Sequence, residues 1–478
     1  MKTAVIAFIL GFNYFVGAYF AAINLFYTFL LAVSLVVILR HIRRIKFAPI
    51  RDYRASPETP PVSIIIPVFN EEDVVIRSIR SALAADYPSF EVILVNDGST
   101  DRTLRTVIDS FGLRRTDRVY RSFLKTAQVR GFYASDALPN FLVIDKDNGG
   151  KSDAMNCGIN ASRSPYFCSV DADSLIERSA LLRLMVPVLE SNVPVLACGG
   201  VVRVLNGVRV RDGIEIEKIE LPDTPLVLFQ IVEYLRGFLF GRVGFDALNS
   251  VLILSGAFTL FHKPAVLEAG GFKVGNVAED MEIVVRLHKL RLSQGIPYRI
   301  RFVSDPVCWT EAPDKVKMLA RQRRRWHLGL IQTICQYREM LANRRYGRIG
   351  TFVMPYYVFF EIMGPVIEMT GYIVVPASYF LGLLDFRFFM LFLVLAFFYG
   401  VFLSTAGIFL EELTFRRYPR WRHLFRLLLY GVLENFGYRQ MNAFWRLQAL
   451  VQYFFGKRKW EQVQGKGTAG DARMEGER

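Results

Sequence analysis

Cysteine and histidine, the residues that build most zinc sites, are scarce in this sequence. There are five of each among 478 residues, and neither set has the spacing of a metal site. The cysteines are Cys157, Cys168, Cys198, Cys308 and Cys335. Their odd number fits a protein with reduced, buried thiols, because disulfides are rare in the cytoplasm. We therefore expect no zinc site.

Acidic residues are also in the minority. The sequence has 44 Asp and Glu against 59 Lys and Arg, a formal net charge of +15. Such an excess can bind the phosphates of nucleic acids. Many of the cations, however, lie directly beside apolar runs, as at residues 40–44 and 416–420, and this bias is typical of the cytoplasmic loops of membrane proteins. We therefore expect no nucleic-acid partner.

Charge is absent from residues 4–39. A helix of that length rises about 54 Å, more than the roughly 30 Å hydrocarbon core of a bilayer. A signal peptide would have a shorter apolar region and a small-residue cleavage site. We predict a membrane span near residues 18–39, and the preceding residues form either a second span or an interfacial helix. The cations at residues 40–46 place the next domain in the cytoplasm.

A second apolar region begins near Thr351. It is broken by prolines and carries Glu361 and Glu368. Either its broken helices line a polar cavity, or a kinked span holds both carboxylates near the lipid headgroups. Residues 388–410 form a cleaner span, and residues 422–455 have the mixed pattern of amphipathic helices on a membrane.

These patterns divide the chain into five predicted regions within a multi-pass protein of the plasma (inner) membrane. Since 52% of the residues are hydrophobic but 22% are charged, a soluble domain joined to membrane segments is expected. The regions are N-terminal membrane segments (1–46), a cytoplasmic domain (47–345), membrane helices (346–412), membrane-associated helices (413–460) and a disordered tail (461–478).

The cytoplasmic domain has the pattern of an α/β fold. Short apolar strands are predicted at residues 62–68, 91–95, 141–144 and 166–170, with helical patterns between them. This alternation indicates βαβ units and a parallel sheet. Ligands bind beyond the carboxyl ends of the strands in such sheets, and acidic residues lie at several of these ends.

Two of these ends carry aspartates. Asp97 either accepts hydrogen bonds from a base or ribose, or belongs to a strand-to-helix turn. Asp171 and Asp173 are separated by one residue, and alternate residues of an extended segment project to the same side. Both carboxylates can therefore serve one hard cation that bridges them to a diphosphate, although a turn capped by Asp is the simpler alternative.

A glycine-rich loop and a second acidic pair extend the pattern. Lys146 and Lys151 flank a loop with two glycines before a predicted helix, where backbone amides attract phosphate; the alternative is a solvated loop. Glu279 and Asp280 precede another helix. A carboxylate there could deprotonate an attacking hydroxyl, or the pair could simply favour the helix N-terminus.

Motifs at four places in the sequence together resemble a known family. They are Val95-Asn96-Asp97-Gly98-Ser99, Asp171-Ala172-Asp173, Ala278-Glu279-Asp280 and Gln322-Arg323-Arg324-Arg325-Trp326. In this order they resemble the processive membrane glycosyltransferases of family 2, over roughly residues 50 to 345. Residues 308–313 are similar to the corresponding segment of the bacterial poly-β-1,6-N-acetylglucosamine synthases in that family.

The resemblance implies a GT-A (Rossmann-like) domain inserted between transmembrane helices. The implied reaction is an inverting transfer of a sugar, N-acetylglucosamine by the nearest similarity, from a UDP-sugar to a polysaccharide or lipid acceptor, with Mg²⁺ or Mn²⁺ as cofactor. It also suggests export of the product, and membrane lipids and an accessory membrane subunit as partners.

The resemblance also implies roles for individual residues. An aromatic face stacks on the apolar surface of a sugar, and an arginine can neutralise a departing diphosphate. The implied residues are Asp280 and Glu279 for catalysis, Asp97, Lys151, Asp171, Gln322 and Arg325 for the donor, Trp326 for the acceptor, and Asp173 with Asp171 for the metal.

Two departures from the family pattern leave alternatives open. Ala278 stands where the family commonly has Thr, and no clear counterpart of the cellulose synthase gating loop is present. A non-processive transferase that adds one sugar to a lipid or short acceptor is therefore a second interpretation. A transporter or scaffold without catalysis is a third, which the complete set of acidic residues disfavours.

Overall fold

The computed structural model describes residues 2–45, 53, 56, 58–211, 214–415, 417, 418 and 420–456. The predicted disordered tail and the boundary between the first two predicted regions lie outside the described residues. The remaining predicted elements can be compared directly with the structure.

A mixed sheet forms the centre of the cytoplasmic domain. Its ten strands are β1 Val62–Val68, β2 Phe90–Asp97, β3 Arg114–Thr116, β4 Val129–Ser135, β5 Leu138–Lys146, β6 Tyr166–Val170, β7 Leu175–Ile176, β8 Val195–Val204, β11 Phe258–His262 and β12 Arg299–Thr310. They lie in the order β3-β4-β5-β2-β1-β6-β11-β8-β12-β7. The strands β9 Val208–Arg211 and β10 Glu215–Ile219 form a separate antiparallel hairpin.

The four predicted strands form the parallel part of this sheet. β1 pairs in parallel with β2 and β6, and β2 pairs in parallel with β5. All seven residues of β1 are buried, as expected for a strand covered on both faces. Parallel pairing brings the carboxyl ends of these strands to one edge of the sheet. Asp97, Lys146 and Asp171 therefore lie at the same edge.

The rest of the sheet is mostly antiparallel, contrary to the expectation from the sequence, although β12 pairs in parallel with β8. β11 runs antiparallel to β6 and β8, β4 to β5, and β7 to β12. An apolar run predicts a buried strand but not its direction. The direction of β11 follows from the long connection between β8 and β11. The chain leaves the sheet through helix Pro225–Arg236 and returns beside β6 in the opposite direction.

Helices cover both faces of the sheet and continue into a helical region. Those of the domain are Val75–Leu83, Thr103–Phe111, Lys151–Ala161, Ala180–Leu189, Pro225–Arg236, Val243–Ala247, Lys263–Glu268, Glu279–Gln294 and Val316–Gln336. One apolar core lies under Val75–Leu83 and Ala180–Leu189. The other extends from Lys151–Ala161 to Leu30 and Ile38 of the N-terminal helix Lys2–Ile45. The sheet and the apolar helices therefore share one core.

Among the residues that the structure describes, two helices are long and apolar enough to cross a membrane: Ala4–Arg40 and Phe386–Thr414. From the sequence, the residues before position 18 could form either a second span or an interfacial helix. In the structure they belong to the same helix as the first span, Lys2–Ile45. A third candidate is the pair Ile349–Ile362 and Gly364–Phe380, bent by 41°, where Pro365 interrupts the helical hydrogen bonds. These helices indicate a membrane protein.

The remaining helical segments complete the region around these spans. They are the α-helices Met354–Tyr356, Phe386–Leu393, Tyr399–Thr414, Trp421–Leu433 and Tyr438–Phe455, the π-helical turns Gly237–Arg242, Ile349–Val353, Tyr357–Ile362 and Val394–Phe398, and the 3₁₀ turns Arg338–Met340 and Arg344–Tyr346. A buried ion pair joins this region to the sheet, since Arg203 Nη1 on β8 lies 2.8 Å from Glu411 Oε1.

Candidate active site

Asp97, at the end of β2, is held by its own chain. Its Oδ1 accepts hydrogen bonds from Lys146 Nζ at 2.6 Å and from the Gly149 amide at 3.0 Å, and its Oδ2 accepts one from the Gly150 amide at 2.7 Å. Gly150 has a φ of 87°, which favours glycine. Asp97 therefore fixes the loop that begins helix Lys151–Ala161. Its contact with a nucleotide stays a prediction.

Of the two lysines that flank this loop, Lys151 is the one that reaches the acidic motifs. Lys146 is fully buried and pairs with Asp97 and Asp153. Lys151 Nζ lies 2.6 Å from Asp171 Oδ1 and 3.1 Å from Glu279 Oε1. Burial alone would lower the pKa of Lys151, but these two carboxylates raise it above its ordinary value. Lys151 thus links two motifs that are far apart in sequence.

Asp171 and Asp173 lie just beyond β6. Ser174 Oγ and Thr310 Oγ1 donate hydrogen bonds to Asp173 Oδ1 at 3.2 and 3.3 Å. Burial, and then the charge of Asp171, raise the pKa of Asp173 to about 6. The two carboxylates therefore repel each other in a site with little water.

Glu71, which follows β1, adds a third carboxylate that the sequence analysis did not identify. Burial, followed by the charges of Asp173 and Asp171, raises the pKa of Glu71 to about 8. A divalent cation would relieve this repulsion, and carboxylate oxygens are the ligands that Mg²⁺ and Mn²⁺ prefer. Among the described residues no three acidic, His or Cys side chains already converge on a metal position. Asp171 and Asp173 nonetheless fit the predicted cation by their chemistry and charge.

Asp280 lies in the first turn of helix Glu279–Gln294. Its Oδ2 accepts a hydrogen bond from the Gly256 amide at 3.0 Å, and its Oδ1 accepts one from the Met281 amide at 2.8 Å. Burial, and then the charge of Glu279, raise the pKa of Asp280. A Cβ at Gly256 would lie 3.2 Å from Lys151 Nζ, so glycine allows this close approach. A fixed carboxylate with a raised pKa can act as a general base.

The cationic motif lies on helix Val316–Gln336, which separates its side chains. Arg323 is buried, and its Nη2 donates to Glu233 Oε2 at 2.7 Å, while its guanidinium lies 4.5 Å from the centre of the Trp326 ring. Trp326 is 42% exposed, and Arg325 is also exposed. Arg323 therefore stacks on the Trp326 ring and holds it in position, a role that the sequence pattern did not indicate.

The helix that carries Trp326 also packs on the loop that leads to Asp280. A Cβ placed at Gly329 would clash with the side chain of Ala278. Glycine at position 329 therefore allows the helix that carries Trp326 to approach the residue two before Asp280.

A cavity of about 450 Å³ extends from Trp326 to the membrane helices. Arg242 and Trp326 line one part, and Asn24, Glu361 and Glu368 line another. Glu361 Oε2 pairs with Arg446 Nη2 at 2.9 Å. Of the two interpretations of the carboxylates in the second apolar region, the structure therefore favours the one in which they line a polar cavity.

The predicted site residues thus fall into two groups. Lys151, Asp171, Glu279 and Asp280 are brought together by ion pairs and by the Gly256 backbone. Trp326 lies at the cavity instead. Within the part of the chain that the structure describes, no hydrogen bond or ion pair joins Gln322 or Arg325 to the acidic group, and Gln322 Oε1 is buried without a partner. Their donor role stays a prediction.

Family models match both groups of residues. The model for Glycosyl transferase family 2 matches residues 63–263, which include the sheet edge with Asp97, Asp171 and Asp173. The model for Glycosyl transferase family group 2 matches residues 225–405, which include Asp280, Trp326 and much of the cavity. The chain therefore carries glycosyltransferase family 2 domains. The resemblance predicted from its motifs is confirmed, and these domains identify it as a glycosyltransferase.

Two curated relatives show how far the similarity extends. The poly-beta-1,6-N-acetyl-D-glucosamine synthase of Staphylococcus epidermidis is 25% identical over 269 residues, covering 56% of this chain and 54% of the relative. A probable glycosyltransferase of Bacillus subtilis, YdaM, is 26% identical over 312 residues, covering 63% of this chain and 64% of the relative. The chain therefore spans less than two thirds of the length of these relatives.

Among solved structures, the mannosyltransferase PcManGT from Pyrobaculum calidifontis, in complex with GDP-Man and Mn²⁺, matches with a TM-score of 0.48 and 17% sequence identity. That match covers 89% of this chain and 99% of the other. The domain that carries these family 2 matches is built on a mixed α/β sheet, accompanied by apolar helices on both sides in sequence.

Proposed function

We propose that this glycosyltransferase transfers N-acetylglucosamine from a UDP-sugar to a growing β-linked polysaccharide, with inversion at the sugar. The observation that carries the proposal is the cavity that leads from Trp326 to the membrane helices, on the side of the protein where Asp280 is held. A curated relative named as a poly-beta-1,6-N-acetyl-D-glucosamine synthase supports the choice of sugar.

The donor is proposed to bind at the sheet edge. Asp97 contacts the nucleotide, and Asp171 and Asp173 hold Mg²⁺ or Mn²⁺, which when bound offsets the charge of the donor diphosphate. Lys151, already paired with Asp171, supplies a further cation beside that diphosphate. Gln322 and Arg325 close the site from the side of the cavity helix. These assignments follow the family motifs, and the ion pair between Lys151 and Asp171 supports the one for Lys151.

The base is proposed to be Asp280, with Glu279 as its neighbour. The acceptor hydroxyl oxygen forms a bond to the anomeric carbon of the donor sugar while the bond from that carbon to the UDP oxygen breaks. Asp280 takes the hydroxyl proton, and UDP leaves with the bonding electrons. The amides of Gly256 and Met281, which donate to the two oxygens of Asp280, hold the carboxylate in place before the reaction.

The acceptor is proposed to lie on Trp326 and to continue into the cavity. The exposed ring offers an apolar face to a sugar, and Arg323 keeps that ring in position. We further propose that the product passes along the cavity through the membrane, that the protein is multi-pass, and that residues 47–345 are cytoplasmic because of the cations at residues 40–46. Membrane lipids and an accessory membrane subunit are proposed partners.

The test uses membranes that contain the full chain. They are supplied with a panel of labelled UDP-sugars, with and without Mg²⁺ or Mn²⁺, and the product is sized and treated with linkage-specific hydrolases. We expect a metal-dependent polymer made from UDP-N-acetylglucosamine. A product carrying a single added sugar would instead support the non-processive interpretation, and no transfer from any donor would overturn the proposal.

A further inference from the structure

Arg242 belongs to no motif of the sequence, yet the structure places it on the wall of the cavity. It is the last residue of the π-helical turn Gly237–Arg242, which interrupts the path between helices Pro225–Arg236 and Val243–Ala247. Ser34 of the N-terminal helix donates a hydrogen bond to the Phe240 carbonyl within this turn at 2.8 Å. Short π-helical turns inside α-helices occur often at functional sites.

The guanidinium of Arg242 is positioned by aromatic rings. Its Cζ lies 4.0 Å from the ring centre of Phe238 and 5.9 Å from that of Phe302. Stacking of this kind orients an arginine while leaving its N–H groups free to donate. The side chain is therefore fixed without a carboxylate.

Arg242 differs in this respect from the other arginines that line the cavity. Arg236 pairs with Glu434, Arg323 with Glu233 and Arg446 with Glu361, and Arg439 donates to Asn435. Among the described residues, Arg242 has no ion-pair partner, and its Nη1 is buried without a hydrogen bond. Buried polar groups are nearly always paired, and an unpaired donor is costly. The guanidinium of Arg242 therefore lines the cavity with its charge unpaired among the described residues, and a ligand in the cavity could supply the missing acceptor.

Arg242 also lies within the electrostatic influence of the proposed base. Burial lowers the pKa of Arg242 to about 10, and the charge of Asp280 acts in the opposite direction. The side chain is therefore a cation at neutral pH. Its position on the wall that includes Trp326 places it where an acceptor sugar approaches Asp280.

We propose that Arg242 binds the acceptor sugar, with its guanidinium donating a hydrogen bond to an oxygen of the sugar unit that attacks the donor. This assignment rests on the proposed function, since it names a specificity residue of the same site. The diphosphate of the donor is the other chemical group that a free guanidinium could bind. Lys151 and the aspartates, rather than Arg242, surround the proposed diphosphate position.

The experiment compares Arg242→Met and Arg242→Lys with the wild-type enzyme and with Arg105→Met. Arg105 is a matched control because its side chain is 83% exposed and pairs with Asp109 on the same helix. Each full-length protein, in detergent, receives UDP-N-acetylglucosamine with a trisaccharide of N-acetylglucosamine as acceptor. Four quantities are measured: the acceptor KM, the rate of donor hydrolysis without acceptor, the affinity for UDP, and the midpoint of thermal unfolding.

For Arg242→Met we expect the acceptor KM to rise about tenfold or more, the scale of a lost hydrogen bond to a charged group. Donor hydrolysis, UDP affinity and the unfolding midpoint should stay close to wild type. Arg242→Lys should show a smaller rise, because lysine keeps the charge but loses the planar set of donors. Arg105→Met should match the wild type in all four.

Three results would overturn the assignment. A parallel loss of UDP affinity in both variants would assign Arg242 to the diphosphate, and a shared loss of thermal stability and donor hydrolysis would give it a packing role. An unchanged acceptor KM in Arg242→Met would show that Arg242 does not bind the acceptor. If the wild-type enzyme transfers no sugar from any UDP donor, the proposed function itself fails, and that outcome is visible before any variant is compared.

Discussion

The two regions of this glycosyltransferase differ in how their polar groups are satisfied. At the sheet edge, Asp97 accepts three hydrogen bonds from its own chain, and Lys146 pairs with two carboxylates. At the cavity, by contrast, Arg242 has no ion-pair partner among the described residues, and its Nη1 has no hydrogen-bond acceptor there. The loop at the sheet edge is thus held by its own chain, whereas Arg242 on the cavity wall keeps N–H groups that no carboxylate occupies.

This difference suggests a division of labour. A donor with a constant nucleotide and diphosphate suits a site that is formed in advance, because preorganised groups need no rearrangement during the reaction. An acceptor that changes position after each sugar addition suits a binding surface whose polar side chains have few hydrogen-bond or ion-pair partners within the protein. Asp280, which is held by two amides but faces the cavity side, lies where the two regions meet.

The largest effect on turnover is expected from Asp280→Asn, because Asp280 lies between the sheet edge and the cavity. The substitution keeps the shape of the side chain but removes the proton acceptor, so kcat should fall by about 10²- to 10⁴-fold, the usual contribution of a general base. UDP affinity should be retained, because Asp280 accepts its hydrogen bonds from the Gly256 and Met281 amides and not from the residues proposed to bind the nucleotide. Turnover and UDP binding are measured on the same preparation. Asp109→Asn, on an exposed side chain, is the control, and near-normal turnover of Asp280→Asn would remove its assignment as base.

The second largest effect is expected from Asp97→Ala, at the sheet edge. Asp97→Ala would leave the fully buried Lys146 with one carboxylate instead of two and would free the Gly149 and Gly150 amides. Breaking a buried ion pair by removing one partner costs about 3–5 kcal/mol. We therefore expect a clear drop in the midpoint of thermal unfolding in detergent, accompanied by weaker UDP binding. Asp109→Ala serves as the control, and an Asp97→Ala protein of normal stability would show that the loop is not held as described.

At the cavity, Trp326→Ala should have a smaller effect and a different signature. The acceptor KM should rise about tenfold, since aromatic contacts of this kind contribute about 0.5–1.5 kcal/mol beyond burial. Thermal stability and donor hydrolysis should change little, because the ring is 42% exposed. Trp421→Ala is a matched control, since that ring is 73% exposed and lies outside the cavity lining. Aggregation of Trp326→Ala would indicate a packing role and would weaken the contrast between the two regions.

The sheet edge could be predicted from the sequence because its signals are local. β1 and β6 have the predicted bounds, residues 62–68 and 166–170, and the acidic residues lie at the ends of strands as expected. The loop itself does not distinguish Lys146 from Lys151, because the two lysines flank the same short segment. Lys151 was the one predicted for the donor site, and the structure places it against Asp171 and Glu279. The exposed Cys335 likewise departs from the expected set of buried thiols.

The cavity could be predicted only in outline. The cationic motif indicated a site wall, but the helix directs Arg323 toward Glu233 and leaves Trp326 exposed, and Glu233 is remote in sequence. No sequence motif marks Arg242 as a site residue. Its proposed role depends on a π-helical turn and on two rings, Phe238 and Phe302, from separate segments of the chain. Antiparallel strands such as β11 were missed for a related reason, because apolar runs do not encode direction.

The smallest effect, a displaced pH profile, tests the electrostatics where the two regions meet. Burial and the charge of Glu279 raise the pKa of Asp280, while Lys151 acts in the opposite direction. The base must be ionised to accept a proton, so kcat/KM should fall as the pH drops through this raised pKa and should recover above it. The acid limb should therefore lie above the ordinary pKa of an aspartate, about 3.9.

Glu279→Gln should move this acid limb to lower pH, because it removes a negative charge that raises the pKa of Asp280. The shift should be modest, since burial remains the larger cause and persists in the variant. Profiles of kcat/KM between weakly acidic and neutral pH, recorded for both proteins with the same donor, measure it. An acid limb that stays in place would mean that another group titrates there, and the proton acceptor would have to be sought on the cavity wall.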